Sequence, residues 1–333
     1  MNHFKSSRHQ QGAALLSALV VSVILVLLVS VTSSLMESRI RLAEMSLTQF
    51  NNQTKVHQKE QELTYLIATQ RITFAGVATG KNSDGQARID GRWLSPLTGD
   101  EIRADGFEYK ETLDEVEVTY SIQAENGLIP VNTSEGVWRK LWLNAYGLND
   151  AYISILEDTL IDYADPDEWS RAAGAEHATY IREGRTPPSN YLLQSCSELM
   201  NIFQWRTLLQ NNPNMAADCS LSRSARVNLN AIPLRLWKTI WPNSYDAILQ
   251  ARAAGQWITN ESQALSASPN LIRLPPVYLY FKGLHSFIIN VESDGVSSTT
   301  KIVNQRGLLP PFKTFPFDSA YELADNTSEK VYK

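Results

Sequence analysis

An unbroken apolar run near the N-terminus, residues 13–31, constrains this chain more than any other feature. The run carries no charge, and its only polar side chains are Ser17, Ser22 and Ser30. About 20 apolar residues rising 1.5 Å each span roughly 30 Å, the thickness of a bilayer core. The sequence therefore predicts one transmembrane helix, at about residues 13–35. Lys5 and Arg8 favour a cytoplasmic N-terminus.

Two simpler interpretations of this run are a cleaved secretory signal and a plain signal anchor. The apolar part of a secretory signal is about 7–15 residues long and ends in a small-residue cleavage site. Here the run is longer and lacks an A-x-A ending. A plain anchor needs no glycine at its polar–apolar junction, yet Gly12 stands directly before Ala13.

The helical pattern continues beyond the apolar run. Ile40, Ala43, Leu47 and Phe50 recur at spacings of three and four residues, as on one face of an amphipathic helix. No proline or glycine interrupts residues 13–69. We therefore predict a single helix over residues 13–70.

Strand patterns flank a long central segment. Residues 115–123 alternate apolar and polar side chains, with 107–110 as a partner strand. Residues 286–292 and 298–304 form a hairpin across a turn at 293–295. The two pairs predict one sheet interrupted by an insert. The chain after residue 310 is predicted to be a loosely held tail.

The insert, residues 127–268, has mainly helical patterns. Ser195 and Glu198 have the spacing of a capping box, which marks the start of a helix. Several tryptophans recur at helix-core spacing and are predicted to pack in the core: Trp138, Trp142, Trp205, Trp237, Trp241 and Trp257.

The two cysteines, Cys196 and Cys219, lie in the part that a single anchor places in the periplasm. An oxidising compartment permits one disulfide between them, and two free buried thiols are the alternative. No further cysteine or nearby histidine pair completes a metal site. The net charge of −5 does not favour a nucleic-acid partner.

Acidic residues concentrate in one short segment of the insert: Asp162, Asp165, Asp167, Glu168 and Glu176. Hard cations take several oxygen ligands, and loops rich in aspartate are a usual way of holding Ca²⁺. Pro166 and Gly174 make a loop plausible here. The spacing is not that of an EF-hand, so a helix end followed by a solvated acidic loop is the alternative.

The junction from Gln11 to Ser17 resembles the leader of type IV pilin-like proteins, in which a short basic leader ends in glycine. The resemblance implies cleavage by a prepilin peptidase between Gly12 and Ala13, and methylation of the new N-terminus at Ala13. Members of this superfamily usually have glutamate at the fifth mature position, where this chain has Ser17. Because that glutamate is understood to neutralise the N-terminal amine of the subunit above, its absence implies a position at a filament tip.

Short motifs in the insert resemble the K-type minor pseudopilins of type II secretion, in the order of that family. They lie at residues 126–132, 160–167, 174–176, 193–199 and 227–231. Two positions depart from the family pattern. Tyr163 stands where tryptophan is usual, and His177 where an acidic residue is usual.

The resemblance implies an α+β fold. In it a long N-terminal transmembrane helix packs on a pilin-like antiparallel sheet, and a large all-α domain is inserted between strands. The corresponding boundaries are a leader at 1–12, the helix at 13–70, a head formed by 71–126 and 269–333, and the insert at 127–268.

The resemblance also implies a role, a location and partners. The protein would be an inner-membrane, single-pass, mainly periplasmic subunit that caps the pseudopilus tip and serves protein export. Its partners would be the I- and J-type minor pseudopilins, the major pseudopilin, the prepilin peptidase and the inner-membrane secretion platform. Calcium bound in the insert is implied as the cofactor.

Two other functions remain open at the level of sequence. A minor pilin of a type IV pilus or competence system is one, because residues 227–257 resemble half of a helix-hairpin-helix DNA module. Its hairpin, Trp241 to Ser244, lacks glycine, and only Lys238 and Arg252 are basic nearby. A membrane-anchored periplasmic enzyme is the other, but no H-E-x-x-H or G-x-S-x-G motif is present.

Overall fold

The computed structural model of the chain describes residues 8–269, 271, 274–283, 285–305 and 310–316. Within these ranges the helices are α1 (Arg8–Thr69), α2 (Val137–Ala145), α3 (Asp150–Ala164), α4 (His177–Arg182), α5 (Trp205–Asn211), α6 (Leu234–Ile240), α7 (Tyr245–Ala253) and α8 (Glu261–Ala267).

The strands of the described residues are mostly short. They are β1 (Gly76–Ala78), β2 (Arg88–Ile89), β3 (Arg92–Trp93), β4 (Glu101–Arg103), β5 (Tyr109–Leu113), β6 (Val116–Ala124), β7 (Ile129–Pro130), β8 (Cys219–Ser220), β9 (Val227–Asn228), β10 (Leu279–Tyr280), β11 (Ser286–Ser293), β12 (Val296–Asn304) and β13 (Phe312–Pro316).

The chain divides into two compact units, Met1–Lys55 and Val56–Lys333. Residues 8–55 of α1 are the described part of the first unit, and from Leu15 to Phe50 their large apolar side chains are exposed. The helix is long and apolar enough to cross a membrane. Two hydroxyls of the apolar part donate to backbone carbonyls of the same helix, Ser22 Oγ to Ala18 O and Thr32 Oγ1 to Leu28 O, both at 2.9 Å. A span in lipid requires such internal partners, since no water satisfies polar groups there.

The second unit contains an antiparallel five-stranded sheet in the order β13-β12-β11-β6-β5. Strand β6 enters the insert, and β11, which follows the insert, pairs with β6 from Phe287↔Ala124 to Glu292↔Thr119. The two ends of the insert therefore leave the sheet side by side. The β11–β12 turn has Asp294 and Gly295 at positive φ, as a tight hairpin requires.

The last turns of α1, within the second unit, pack on this sheet. Val56, Leu63 and Ile67 are buried against apolar side chains of β6 and β11. Polar contacts fix the packing at both ends. Thr300 Oγ1 donates to Glu60 Oε1 at 2.6 Å, and Asn304 Nδ2 donates to Ile67 O at 2.8 Å.

A second core lies inside the insert and is built around tryptophan. Trp138, Trp142, Trp205, Trp237 and Trp241 are buried there. Buried indoles need acceptors for their N–H groups. Trp138 Nε1 donates to Ala225 O at 2.9 Å and Trp205 Nε1 to Leu156 O at 3.0 Å. The prediction that these five tryptophans pack in the core is confirmed.

The sixth of these tryptophans differs. Trp257 lies outside the helices and is only half-buried. Its ring faces the guanidinium groups of Arg103 and Arg252, at 5.5 and 5.9 Å from the ring centroid. It therefore stacks against arginines at the edge of the insert instead of filling its centre.

Insert and head meet through close backbone contacts and a buried ion pair. Arg252 on α7 donates to Asp105 Oδ2 at 2.8 Å, and both side chains are buried. Gln123 Nε2 on β6 donates to Ala231 O at 2.8 Å. Gly127 approaches Ala231 so closely that an added Cβ would lie 2.1 Å from its carbonyl oxygen. Only glycine fits there.

The predicted class is confirmed: an α+β fold with a long N-terminal helix, an antiparallel sheet and a helical segment between its strands. Three details differ from the prediction. The insert also carries the short parallel pairs β7–β8 and β9–β10. Leu271, Leu274 and Leu279 pack in the insert core, beyond the predicted boundary at 268. The predicted tail contains β13, which pairs antiparallel with β12 from Asn304↔Phe312 to Thr300↔Pro316.

Candidate functional site

The predicted processing site lies on α1. The helix begins at Arg8, so the backbone is already helical at Gly12 and Ala13, and the side chain of Ala13 is outside the described part. Ser17 follows on the same helix and is exposed. Cleavage and methylation are covalent events, and these positions remain predictions.

The acidic segment is the most distinctive polar site of the insert. Helix α3 starts at a cap in which Asn149 Oδ1 accepts from Tyr152 N at 2.9 Å. The helix ends at Ala164, so Asp162 lies in its last turn and Asp165 is its C-cap. Glu176 is the residue immediately before α4. The loop between the two helices returns the chain to the end of α3.

Backbone contacts hold this loop against α3. Asp162 Oδ2 accepts from Arg171 N at 3.1 Å, and Asp158 Oδ2 accepts from Ala173 N at 3.1 Å. Gly174 lies so close to Asp162 that an added Cβ would be 1.8 Å from Asp162 Oδ2. The glycine thus permits the loop to close over a buried carboxylate.

Three of the five predicted ligands come together. One carboxylate oxygen from each of Asp165, Asp167 and Glu176 lies within 4.8 Å of the other two. Oxygens that share one Ca²⁺ at 2.3–2.6 Å are at most about 5 Å apart, so this spacing suits a common ion. Among the described residues this is the group with such geometry.

The other two predicted ligands are placed differently. Asp162 is fully buried next to the three, and Arg171 Nε lies 3.5 Å from its Oδ1. Glu168 points to a neighbouring loop, where its Oε1 accepts from Asn190 Nδ2 at 2.9 Å. Asp162 therefore lies beside the group formed by Asp165, Asp167 and Glu176, and Glu168 lies at the edge of that group.

Several oxygens of the cluster are buried without a hydrogen-bond partner. They are Oδ1 of Asp165, both oxygens of Glu176, and Oδ1 of Asp162, which has the ion pair with Arg171 but no hydrogen bond. Leaving a carboxylate buried and unpaired is costly. The oxygens therefore fit a bound cation better than they fit a solvated acidic loop.

The electrostatics of the cluster lead to the same conclusion. Burial and then the charges of Asp162 and Asp165 raise the pKa of Glu176 to about 7. Burial also raises the pKa of Asp162, and burial together with Asp167 raises that of Asp165. Like charges crowded in a shielded site disfavour the ionised forms unless a cation neutralises them.

The two cysteines are joined. Cys196 and Cys219 form a disulfide with a Cα–Cα distance of 6.0 Å across 23 residues of sequence. Cys196 begins a 3₁₀ helix whose capping box is present, with Ser195 N donating to Glu198 Oε1 at 2.9 Å. The bond therefore links this capped turn to β8 in the insert core.

The region that resembles a DNA-binding hairpin is largely interior. Trp241 and Ser244 are buried, and Trp237 Nε1 donates to Ser244 Oγ at 3.1 Å. Arg252 is buried and donates to Asp105. Lys238 lies 5.4 Å from the centroid of the Tyr245 ring. The buried arginine is thus committed to the fold rather than presented to a phosphate.

The predicted site did not include Asp158, Ser170 or Arg171. Each of them contributes to the loop that closes the acidic cluster. One signal was available, since Asp158 and Asp162 are four residues apart and share a helix face. The contact of Gly174 with Asp162 depends on the path of the loop, which the sequence does not reveal.

Comparisons with known proteins show a similarity of structure. No protein-family profile and no curated protein sequence matches the chain. The structure is similar to a chain of the crystal structure of the GspK-GspI-GspJ complex from the type 2 secretion system of enterotoxigenic Escherichia coli. The two chains are 14% identical with a TM-score of 0.48, and the match covers 79% of this chain and 98% of that one.

Proposed function

We propose that this protein is a minor pseudopilin of K type. It is inserted in the inner membrane through α1, cut after Gly12 and methylated on Ala13. The observation that carries the proposal is α1 itself. One uninterrupted helix is apolar and exposed from Leu15 to Val31, and its last turns pack on an antiparallel sheet. That is the plan of a pilin-like subunit.

Ser17 supports a position at the filament tip. A carboxylate within an apolar span costs about 2.5–3.5 kcal/mol on insertion scales unless it is paired. A subunit with a neighbour above it regains that cost by pairing with the neighbour's N-terminal amine. A subunit with nothing above it does not, and serine avoids the cost.

The proposed role is assembly, capping and protein export rather than catalysis. The exposed apolar side chains of α1 need lipid or other helices as partners. We assign those contacts to the I- and J-type minor pseudopilins and the major pseudopilin. The prepilin peptidase and the inner-membrane secretion platform are transient partners in this scheme. The bulk of the insert would prevent a further subunit from stacking above.

A deletion strain tests this role. We expect several unrelated exported proteins to accumulate in the periplasm, because the whole secretion filament is affected. Pili and DNA uptake should remain at wild-type levels. Loss of pili or of DNA uptake with normal export would contradict the proposal and would favour the minor pilin of a type IV pilus or competence system.

We further propose that the acidic cluster binds Ca²⁺ through Asp165, Asp167 and Glu176, with Asp162 adding negative charge beside them. The unpartnered buried oxygens and the 4.8 Å grouping support this assignment. A bound ion would neutralise the cluster and tie the loop to the ends of α3 and α4. Its role is structural.

Thermal melting of the full chain in detergent tests the calcium proposal. With Ca²⁺ at about 100 times its dissociation constant, the free energy of unfolding rises by about 2.7 kcal/mol, or roughly 5–10 °C in Tm. EGTA should remove the increase. Glu176→Gln should lose most of it, whereas Glu183→Gln, an exposed position after α4, should keep it. Equal Tm values in calcium and in EGTA would contradict the proposal.

A further inference from the structure

The loop between α3 and α4 carries Trp169, the most exposed large apolar residue of the described part of the chain, with 84% of its surface accessible. Tryptophan is highly buried on average, and five other tryptophans of the insert fill its core. Within the described residues, no aromatic ring, cation or hydrogen-bond acceptor partners the indole of Trp169. Both faces of this ring are therefore open to a ligand.

A second exposed aromatic residue stands on an adjoining loop. Asn190 Nδ2 donates to Glu168 Oε1 at 2.9 Å and to Asp167 O at 3.4 Å, so the two loops are joined next to Trp169. The residue after Asn190 is Tyr191, which is 56% exposed. Exposed Trp and Tyr together are typical of protein interfaces, because each combines a large apolar ring with a polar group.

The backbone of this surface is held in place. Trp169 N donates to Asp167 Oδ1 at 2.8 Å, and Ser189 Oγ donates to Tyr191 O at 2.9 Å. Each aromatic residue therefore projects from a loop that internal hydrogen bonds fix. Such preorganisation lowers the entropy cost of binding.

Negative charge accumulates beside the two rings. Residues 158–176 hold six carboxylates and one guanidinium, that of Arg171, whose Nε lies 3.5 Å from Asp162 Oδ1. Five negative charges remain when all the carboxylates are ionised, and three remain if a Ca²⁺ is bound. The carboxylates are those of Asp158, Asp162, Asp165, Asp167, Glu168 and Glu176.

The cations that follow in sequence do not cancel this charge. Arg182 on α4 pairs with Glu183 at 3.9 Å, so the two add no net charge. Arg185 turns toward Asn201, to whose carbonyl oxygen its Nη2 donates at 2.9 Å. Even when Arg185 is counted, two negative charges remain with Ca²⁺ bound. The surface is therefore negative with or without the ion.

This combination selects the chemistry of the occupant. The face of an indole is the aromatic surface that attracts a Lys or Arg cation most strongly. Glu168, exposed and next to Trp169, offers a carboxylate to the same cation. A lipid surface fits poorly, because cytoplasmic and other anionic leaflets repel negative charge. A basic protein segment with one apolar side chain fits both the charge and the rings.

We propose that Trp169 and Tyr191, together with the exposed carboxylates of Asp167 and Glu168, form a docking surface for a basic segment of a partner protein. An arginine or lysine of the segment lies on the indole of Trp169 and pairs with Glu168, and an apolar side chain lies against Tyr191. The surface rests on neither the pseudopilin assignment nor the calcium assignment, since its charge is negative in both states of the cluster.

Isothermal titration of the full chain in a neutral detergent tests the surface with three probes. They are acetyl-Arg-Arg-Leu-Arg-amide, its uncharged analogue acetyl-Gln-Gln-Leu-Gln-amide, and acetyl-Glu-Glu-Leu-Glu-amide. We expect the basic peptide to bind at least about tenfold more tightly than either of the others, in calcium and in EGTA, and less tightly at about 500 mM salt than at about 50 mM. Equal binding of the basic and uncharged peptides would overturn the proposal.

A variant of the tryptophan locates the binding. Trp169→Ala should weaken the basic peptide about fivefold or more, because it removes the ring on which the cation lies. Tyr65→Ala on α1 is the matched control, since it removes an aromatic ring that is 61% exposed outside the insert, and it should leave the affinity unchanged. Equal affinities of the two variants would place the binding elsewhere and overturn the assignment. Tm values that match the unmodified protein serve as the folding control.

A variant of the carboxylate tests the charge. Glu168→Gln should weaken the basic peptide about threefold or more, because it removes the exposed carboxylate next to the indole. Glu292→Gln removes the same charge at an exposed position of β11 and should have no such effect. If both variants weakened the basic peptide equally, the attraction would belong to the overall charge of the protein, and the proposed surface would be wrong.

Discussion

Glu176 is the residue at which burial and charge conflict most directly. Its side chain is buried, both its oxygens lack a hydrogen-bond partner, and other carboxylates of the cluster surround it. In the absence of a cation, the neutral acid is the favoured form below about pH 7. A bound cation reverses that preference, because it stabilises the ionised carboxylate.

This conflict predicts a pH dependence of stability in EGTA. The folded-state pKa of Glu176 is about 7 against an ordinary value of 4.5. Between these values the folded chain holds a proton that the unfolded chain has released. The stabilisation is therefore complete below about pH 4.5 and is lost as the pH rises through 7, by on the order of 3 kcal/mol. Chemical unfolding at pH 5, 6 and 7.5 measures it.

Calcium and one variant separate this effect from other titrations. Added Ca²⁺ should increase stability more at pH 7.5 than at pH 5, because at low pH it must displace a proton. Glu176→Gln should flatten the pH profile in EGTA, whereas Glu183→Gln should retain it. A profile that is unchanged in Glu176→Gln would show that Glu176 does not have the raised pKa.

At this scale the sequence predicted which carboxylates to examine but not their arrangement. Asp165, Asp167 and Glu176 converge because the loop folds back over α3, and that path depends on Gly174 and on backbone contacts to Asp158. Glu168 has the same chemistry and lies in the same run, yet it bonds to Asn190 instead. Residue type was therefore informative, whereas convergence required the fold.

At the scale of elements, α7 is tied to the head by Arg252. The guanidinium bonds to Asp105 and also donates to the carbonyls of Ile232 and Leu229 at 2.8 and 2.9 Å. Removing one partner of a buried pair leaves the other charge without compensation, which typically costs 3–5 kcal/mol. Arg103 also bonds to Asp105, so part of that cost is spared.

We therefore expect Arg252→Met to lower the free energy of unfolding by about 2–3 kcal/mol. Denaturant unfolding followed by tryptophan fluorescence measures the loss. Arg206→Met on α5 is the matched control, since Arg206 is exposed and makes one bond, to Met200 O at 3.2 Å. Losses of the same size in the two variants would contradict the role of the buried pair.

The disulfide makes a separate prediction for the insert. Opening a loop of 23 residues releases chain entropy in the unfolded state worth about 3 kcal/mol. Replacing Cys196 and Cys219 together by serine should lower stability by about that amount. The unmodified protein should unfold at lower denaturant under reducing conditions, and the double variant should not respond. A wild-type protein insensitive to reductant would contradict the bond.

Elements were predicted where periodicity was strong and missed where pairing decided the outcome. Strand β6 and the β11–β12 hairpin follow from alternation and turn residues. Strand β13 was missed because its segment, rich in Pro and Phe, shows no alternation and becomes a strand only by pairing with β12. The two-residue pairs β7–β8 and β9–β10 are likewise products of packing.

A cavity of about 590 Å³ beside Trp93, where α1 ends, shows the same limit more strongly. Its lining residues Arg71, Arg88 and Lys282 are isolated in the sequence, and no local pattern relates them. They meet because the end of α1, the β2–β3 hairpin and the segment after β10 converge. A cavity lined by single residues from distant segments leaves no motif to recognise.

At the scale of the whole molecule, the central claim is that α1 is a pilin-like helix with a processed N-terminus. The apolar run predicted a membrane helix from length and composition alone, and the described helix is long and apolar enough to cross a membrane. In the proposed processing, cleavage after Gly12 makes Ala13 the first residue of the mature helix. The proposed tip position and partners depend on that start.

Mass spectrometry of the N-terminus, on protein purified from its own membranes, tests this claim most directly. We expect a mature chain that begins at Ala13 and carries one methyl group on its amine. A chain that retains Met1, or one that begins after Val31, would contradict it.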